Sequence, residues 1–338
     1  MSVRACILGC QGLSLTREEI AFFRDVKPWG FILFSRNVES PDQVRKLVEA
    51  LRETVGRADA PVLIDQEGGR VQRLKAPHWP AYPAGRAYGR IAGDDPLLKR
   101  EITRLGARLI AHDLASLGIN VDCVPVLDVP DPQGHEVIGD RAYGDTPEEV
   151  AQLGRAAAEG LIAGGVLPVI KHIPGHGRAK ADSHQELPVV EASYDELDGR
   201  DFAPFRALSD MPMAMTAHVI YSAIDKKRPA TTSKKALRKV IRGAIGFDGL
   251  VMSDDLSMKA LSGDFRERAE QSIAAGCDVV LHCNGEMAEA EPVVDGCGAL
   301  KGRAQRRAEA ALARLPRAPE PLDVEAARAR FAAAFGAG

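Results

Sequence analysis

The sequence predicts an α/β protein, a single (β/α)8 barrel of the TIM type with long loops after strands 3 and 5. Three observations carry that expectation. Short β-rich runs recur along the chain, amphipathic helical patterns with readable starts lie between them, and polar residues gather where the runs end. A length of 338 residues is normal for such a barrel, and residues 1–338 are expected to form one catalytic barrel domain with a helical C-terminal segment from about 286.

Eight runs read as strands: Ala5–Cys10, Gly30–Phe34, Pro61–Asp65, Asn120–Asp128, Val166–Lys171, Met213–Thr216, Gly249–Ser253 and Cys277–His282. Most are almost continuously apolar, as parallel strands covered on both faces must be. Eight strands alternating with helices favour a closed barrel over an open doubly wound sheet.

The helices declare their starts. Thr16-Arg17-Glu18-Glu19 is a capping box, in which the Thr hydroxyl accepts the third helical amide and Glu19 reaches back. Ser40-Pro41 and Thr146-Pro147 place proline at the first helical position, where its missing donor costs nothing. Ser193 opens another helix, and further starts fall near Ser233 and Asp264. Two stretches exceed an ordinary connection: Leu74–Asp95, rich in Pro, Gly and aromatics, and Ile173–Ala192. In the first, Trp79, Tyr82 and Tyr88 are expected to pack on the barrel rather than shape its mouth.

Composition narrows the function. A net charge of -3 with dispersed Lys and Arg offers no basic arm for nucleic acid or an anionic membrane. The N-terminus lacks the regions of a secretory signal, and no apolar run approaches membrane-spanning length. Six scattered cysteines without CxxC pairs read as buried, reduced thiols of a cytoplasmic protein.

In a barrel of this kind the catalytic groups come from the C-terminal strand ends. Those ends carry Asp65-Gln66-Glu67, Asp128, Lys171-His172, His218 and Asp254-Asp255. For Asp128, Glu67 and Asp255, helix capping or pairing across the barrel mouth is an equal expectation. The densest signal is Lys171-His172-Ile173-Pro174-Gly175-His176-Gly177, continuing to Asp182-Ser183-His184. Neutral imidazoles beside a carboxylate suit zinc, which gives one reading: a zinc-dependent deacetylase or amidohydrolase using His172, His176, His184 and Asp254. Against it stand the adjacent Lys171 and a spacing that follows no zinc pattern. Alternatively, Asp182 orients His184 and supports its imidazolium, making a pair able to protonate a leaving oxygen and later deprotonate water. An ionised Asp254 at the end of the seventh strand can attack an anomeric carbon, with Asp255 fixing the loop beside it. Asp65 and an Arg of Asp65-Gln66-Glu67-Gly68-Gly69-Arg70-Val71-Gln72-Arg73 can hold sugar hydroxyls.

Taken together, these segments resemble the family 3 glycoside hydrolases, specifically the bacterial β-N-acetylglucosaminidase branch of peptidoglycan recycling. The resemblance runs from Trp29-Gly30-Phe31-Ile32-Leu33-Phe34-Ser35-Arg36-Asn37 to about Cys283-Asn284. It implies a retaining exo-β-N-acetylglucosaminidase with Asp254 as nucleophile, His184 as general acid/base and Asp182 as its dyad partner. Sugar binding is implied for Asp65, Arg73, Arg141, Lys171 and His172. The implied substrate is a muropeptide, N-acetylglucosamine linked to 1,6-anhydro-N-acetylmuramic acid with or without peptide. No metal or organic cofactor is called for, and the protein is expected to act as a cytoplasmic monomer without nucleic-acid or membrane partners. Using a histidine on a long Gly-rich loop in place of a second carboxylate departs from common glycosidase practice, and the loop is expected to swing in when sugar binds. A sugar-binding protein without turnover is the non-enzymatic alternative, although binding alone would not call for both Asp254 and the Asp182–His184 pair.

Overall fold

The computed structural model describes residues 2–91, 95–183 and 185–336. Eight strands close into a parallel barrel: β1 (Arg4–Gly9), β2 (Pro28–Leu33), β3 (Val62–Ile64), β4 (Val121–Asp122), β5 (Leu167–Ile173), β6 (Met213–Thr216), β7 (Leu250–Asp255) and β8 (Val279–His282). Each strand pairs with its neighbours in sequence, and β8 returns to β1 with Ile7 opposite Leu281. Nearly every residue of these strands is buried, which is why their sequences run apolar without alternation.

The helical starts lie where the sequence puts them. Thr16 Oγ1 accepts the Glu19 N–H at 3.1 Å and Glu19 Oε2 takes the Thr16 N–H at 2.9 Å, completing the box before the helix Arg17–Val26. Ser40 caps Pro41–Val55, Thr146 caps Pro147–Ala163, and Asp264 caps Phe265–Ala275 with its own box. Ser193 caps only the short turn Tyr194–Glu196, which runs on into a wider π-helical turn. Beyond 286 the chain is helical in Met287–Cys297, Gly302–Leu312 and Val324–Ala334.

Most strand boundaries shift by one or two residues from the sequence reading, and two of the departures bear on the site. The expected strand Asn120–Asp128 stops at Asp122, because Pro125 has no N–H to offer a ladder. Only an isolated bridge from Val126 to Lys171 and a Leu127 N–H bond to the Lys171 carbonyl continue the pairing. Strand β7 instead runs past Ser253 to Asp255, with a break of register between Met252 and Asp255. Such irregularities re-aim side chains at a barrel rim, and this one falls at Asp254.

The loop after β3 is packed as expected. Trp79, Tyr82 and Tyr88 are buried, and Tyr88 meets the Phe335 and Phe331 rings beside the C-terminal helix at 5.5 and 6.2 Å. Tyr82 donates its hydroxyl to Asp113 Oδ2 at 2.6 Å, while Arg328 of that helix reaches Asp113 Oδ1 at 2.7 Å. All six cysteines are buried and unpaired.

Candidate active site

At the C-terminal ends of the strands the barrel opens into a polar pocket. It is built first from the turn after β3. Gln66 holds that turn together: its N–H is donated to Asp122 Oδ1 at 2.9 Å, and its side-chain oxygen accepts the N–H groups of Arg73 and Leu74. Gly68, at φ +91°, makes the reversal possible, since a side chain there would stand 2.3 Å from the Pro83 carbonyl oxygen. The turn thereby presents Asp65, Glu67 and Arg73 to the pocket.

Strand β5 sends Lys171 between the two carboxylates. Its Nζ lies 2.8 Å from Asp65 Oδ1 and 2.6 Å from Glu67 Oε1, while Arg73 reaches Asp65 Oδ2 at 3.0 Å. Arg141 grips Glu67 through two bonds of 2.8 Å. Burial alone would push both carboxyls up; for Asp65 the Lys171 and Arg73 cations outweigh it and hold the group below the usual carboxylate range. For Glu67 burial is likewise overcome, chiefly by Arg141 and then Lys171, bringing it to about 2. Lys171 and Arg141 are in turn held charged against burial by those carboxylates. The result is an ionised cluster fixed in one geometry. Beneath it, Asp122 is fully buried, its Oδ2 has no partner among the described residues, and burial raises it to about 8.

The opposite side of the pocket is made of imidazoles. His172 sets Nδ1 2.7 Å from Asp128 Oδ2, and Asp128 Oδ1 accepts the main-chain N–H groups of His172 and His176 at 3.2 and 2.6 Å. Burial disfavours the Asp128 charge, yet His172 keeps its carboxyl below the ordinary value. His176 is lowered to about 4, first by burial and then by His172. His218 lies buried between Thr231 Oγ1 and the Asp255 carbonyl, and burial lowers it too.

From β7 comes Asp254, which lines the same pocket and accepts the Asp255 N–H at 2.8 Å. Asp255 acts as a brace: it takes the N–H groups of Ser257 and Cys283 at 3.0 and 3.1 Å. Ile32, Met215 and Leu281 contribute the apolar wall, and Phe34 carries the Arg73 guanidinium 5.0 Å above its ring. Arg73 Nε is buried and has no partner among the described residues.

One pocket therefore gathers Asp65, Arg73, Arg141, Lys171, His172 and Asp254 from turns and strands far apart in sequence. Asp182 is half-buried and its carbonyl accepts the Gln185 and Glu186 N–H groups; His184 lies outside the described residues. The loop that follows β5 places Ser183 in the pocket wall. Among the described residues no group of three or more His, Cys, Asp or Glu side chains is arranged to hold a metal ion. Glu67, Asp128 and Asp255 are the residues whose part sequence alone leaves undecided: Glu67 and Asp128 pair at the barrel mouth with Arg141 and His172, and Asp255 accepts main-chain N–H groups of the adjoining loops. His176 and Ser183 also line the pocket; their place in the histidine-rich stretch after β5 was the only signal for them.

Comparison with known proteins agrees with this architecture. Residues 13–318 match the family described as Glycosyl hydrolase family 3 N terminal domain. A beta-hexosaminidase of Alkalilimnicola ehrlichii is 40% identical over 293 residues, which cover 85% of this chain and 82% of the relative. The structure of NagZ from Neisseria gonorrhoeae in complex with N-trifluoroacetyl-D-glucosamine aligns with a TM-score of 0.85 at 33% identity, over 99% of this chain and 97% of that one. A glycoside hydrolase family 3 beta-N-acetylglucosaminidase from Paenibacillus sp. str. FPU-7 aligns with a TM-score of 0.86 at 31% identity, over 98% of this chain and 67% of that one.

Proposed function

The chain belongs to glycosyl hydrolase family 3 and is a β-N-acetylhexosaminidase, and from that premise we propose that it is a retaining exo-enzyme removing terminal N-acetylglucosamine from peptidoglycan-derived muropeptides. The substrate in this reading is N-acetylglucosamine linked to 1,6-anhydro-N-acetylmuramic acid, with or without peptide. The observation that carries it is the convergence of Asp254 with the fixed cluster of Asp65, Arg73, Arg141 and Lys171 in one pocket floored by the barrel interior. A pocket closed below accepts a chain end, which supports exo-action. Carboxylates already satisfied by Lys171 and Arg141 keep spare lone pairs for sugar hydroxyls, and the buried Arg73 Nε is a donor in want of an acceptor.

In this mechanism Asp65, Arg73, Arg141, Lys171 and His172 hold the sugar, with Asp128 setting the tilt of His172. Asp254 attacks C1 while His184, oriented by Asp182, protonates the departing oxygen. His184 then takes a proton from water, and the hydroxide displaces Asp254 with net retention. The ionised Asp254 also stabilises the oxocarbenium-like charge on the way. No step calls for a metal or organic cofactor. Six buried, unpaired cysteines support a reducing, cytoplasmic setting, and we take the protein to act as a monomer. Among the described residues no helix is long and apolar enough to cross a membrane.

The test is hydrolysis of a chromogenic β-N-acetylglucosaminide by wild type, Asp254→Ala and His184→Ala, with EDTA present and absent. Chelator-insensitive turnover that drops by at least about 10³-fold in Asp254→Ala is expected, with a loss of about 10²–10⁴-fold in His184→Ala. A fluorosugar adduct found on Asp254 by mass spectrometry completes the assignment. Activity surviving in Asp254→Ala, or an adduct absent because the substrate acetamide has done the attacking, overturns the nucleophile. Sugar phosphate as the product in phosphate buffer would replace water as the acceptor.

A further inference from the structure

Within the pocket wall, Ser183 makes connections that the mechanism above leaves unused. His176 and Ser183 both line the pocket, and they are only 3% and 2% exposed. His176 Nε2 stands 3.2 Å from Ser183 Oγ. The imidazole is itself anchored, because its main-chain N–H is donated at 2.6 Å to Asp128, the carboxylate that also orients His172. From the other side the Ser183 carbonyl accepts the N–H of Ala260, in the loop that follows Asp254. Ser183 is thus gripped from the β5 side through a side chain and from the β7 side through the main chain.

We propose that His176 and Ser183 form a latch that positions the Asp182-Ser183-His184 segment for proton transfer, with the Ala260 bond tying that segment to the strand end bearing Asp254. The inference rests on the reading of His184 as acid/base and names the residues that set its position. A buried serine hydroxyl needs a partner, and here the partner is an imidazole that stays neutral because burial lowers it to about 4. A neutral imidazole carries one donor and one acceptor, so it can meet the hydroxyl in either sense without adding charge beside the sugar. Gly177 allows the loop to fold back, since a side chain there would stand 1.9 Å from the Val129 carbonyl oxygen. Both residues are positioning residues: neither needs to touch a reacting atom.

Loss of the latch frees the segment, and the cost falls on the step that needs an aligned proton donor. A substrate with a poor leaving group depends on that donor, whereas an activated dinitrophenyl glycoside leaves without it. The experiment measures kcat/KM, which reports the first chemical step, for phenyl and 2,4-dinitrophenyl β-N-acetylglucosaminides. The proteins are wild type, Ser183→Ala, Ser183→Thr, His176→Gln and His184→Ala. Ser183→Ala and His176→Gln are expected to lose about 10–100-fold on the phenyl glycoside and less than about 3-fold on the dinitrophenyl one, with Ser183→Thr restoring most of the loss. Equal losses on both substrates, or none on either, would overturn the latch. If His184→Ala itself treats the two substrates alike, the acid/base reading falls first; if it discriminates and Ser183→Ala does not, only the latch falls.

Discussion

The loop after β3 and the loop after β5 leave the same end of the barrel, yet they are held by opposite means. The first is anchored by bulk: Trp79, Tyr82 and Tyr88 are buried, and the rings of Tyr88, Phe331 and Phe335 pack against one another. The second is held by polar contacts: Asp128 to the His176 N–H, Ser183 to His176 and to Ala260, and Arg178 to Asp131 and Asp201. Apolar burial contributes stability without directing any particular atom, whereas hydrogen bonds fix orientation while contributing little net free energy each. The aromatic stretch of the first loop, beyond the turn that bears Asp65, Glu67 and Arg73, is accordingly read as stabilising the mouth, and the second loop as aiming groups into it.

The largest expected break in this comparison comes from Tyr88→Ala. Removing a ring buried against Phe331, Phe335 and Tyr143 should lower the unfolding free energy by about 3–5 kcal/mol, measured by urea titration, while the folded enzyme keeps its kcat. A comparable collapse in kcat would place the first loop in the chemistry.

Asp128→Asn should do the reverse. The loss of a charge-assisted bond to His172 is worth about 1.5–3 kcal/mol, so kcat/KM should fall by about 10–150-fold, with a stability change smaller than that of Tyr88→Ala. Steady-state kinetics and thermal melts on the same samples separate the two effects. Tyr82→Phe sharpens the first loop's account: it keeps the ring and deletes only the bond to the Asp113 carboxylate, for which about 1.5–3 kcal/mol of stability and no activity are expected to be lost.

A further effect is one of pH. Asp122 lies under the root of the first loop, where burial raises it from 3.8 to about 8. Between those values the folded protein binds a proton that the unfolded chain has released, so its stabilising contribution is complete below the lower value and lost as pH rises through the upper one. Asp122→Asn cannot ionise, and its Tm should decline less than that of wild type between about pH 5 and pH 8. Identical slopes would mean that Asp122 is already ionised in the folded protein.

Much of the protein was legible from local pattern. The eight apolar runs, the capping box at Thr16 and the helix start at Asp264 are all written within a few residues of where they act. So were the strand ends that furnish Asp65, Lys171, His172 and Asp254. The run Asn120–Asp128 misled because its hydrophobicity continues past Pro125 although its ladder does not. Glu67 was readable as a cap, a ligand group or an ion-pair partner, and only the arrival of Arg141 and Lys171 decided it.

Sequence by itself determined the elements, their order and the chemical types assembled at the barrel mouth, because periodicity, capping and strand ends are encoded by neighbouring residues. Only the tertiary structure decided which of those groups pair and which way they face. Asp65 and Lys171 are 106 residues apart, and the re-aimed end of β7 depends on register with β8. Charges so distant meet only once the barrel closes, and their burial then sets both their ionisation and their geometry.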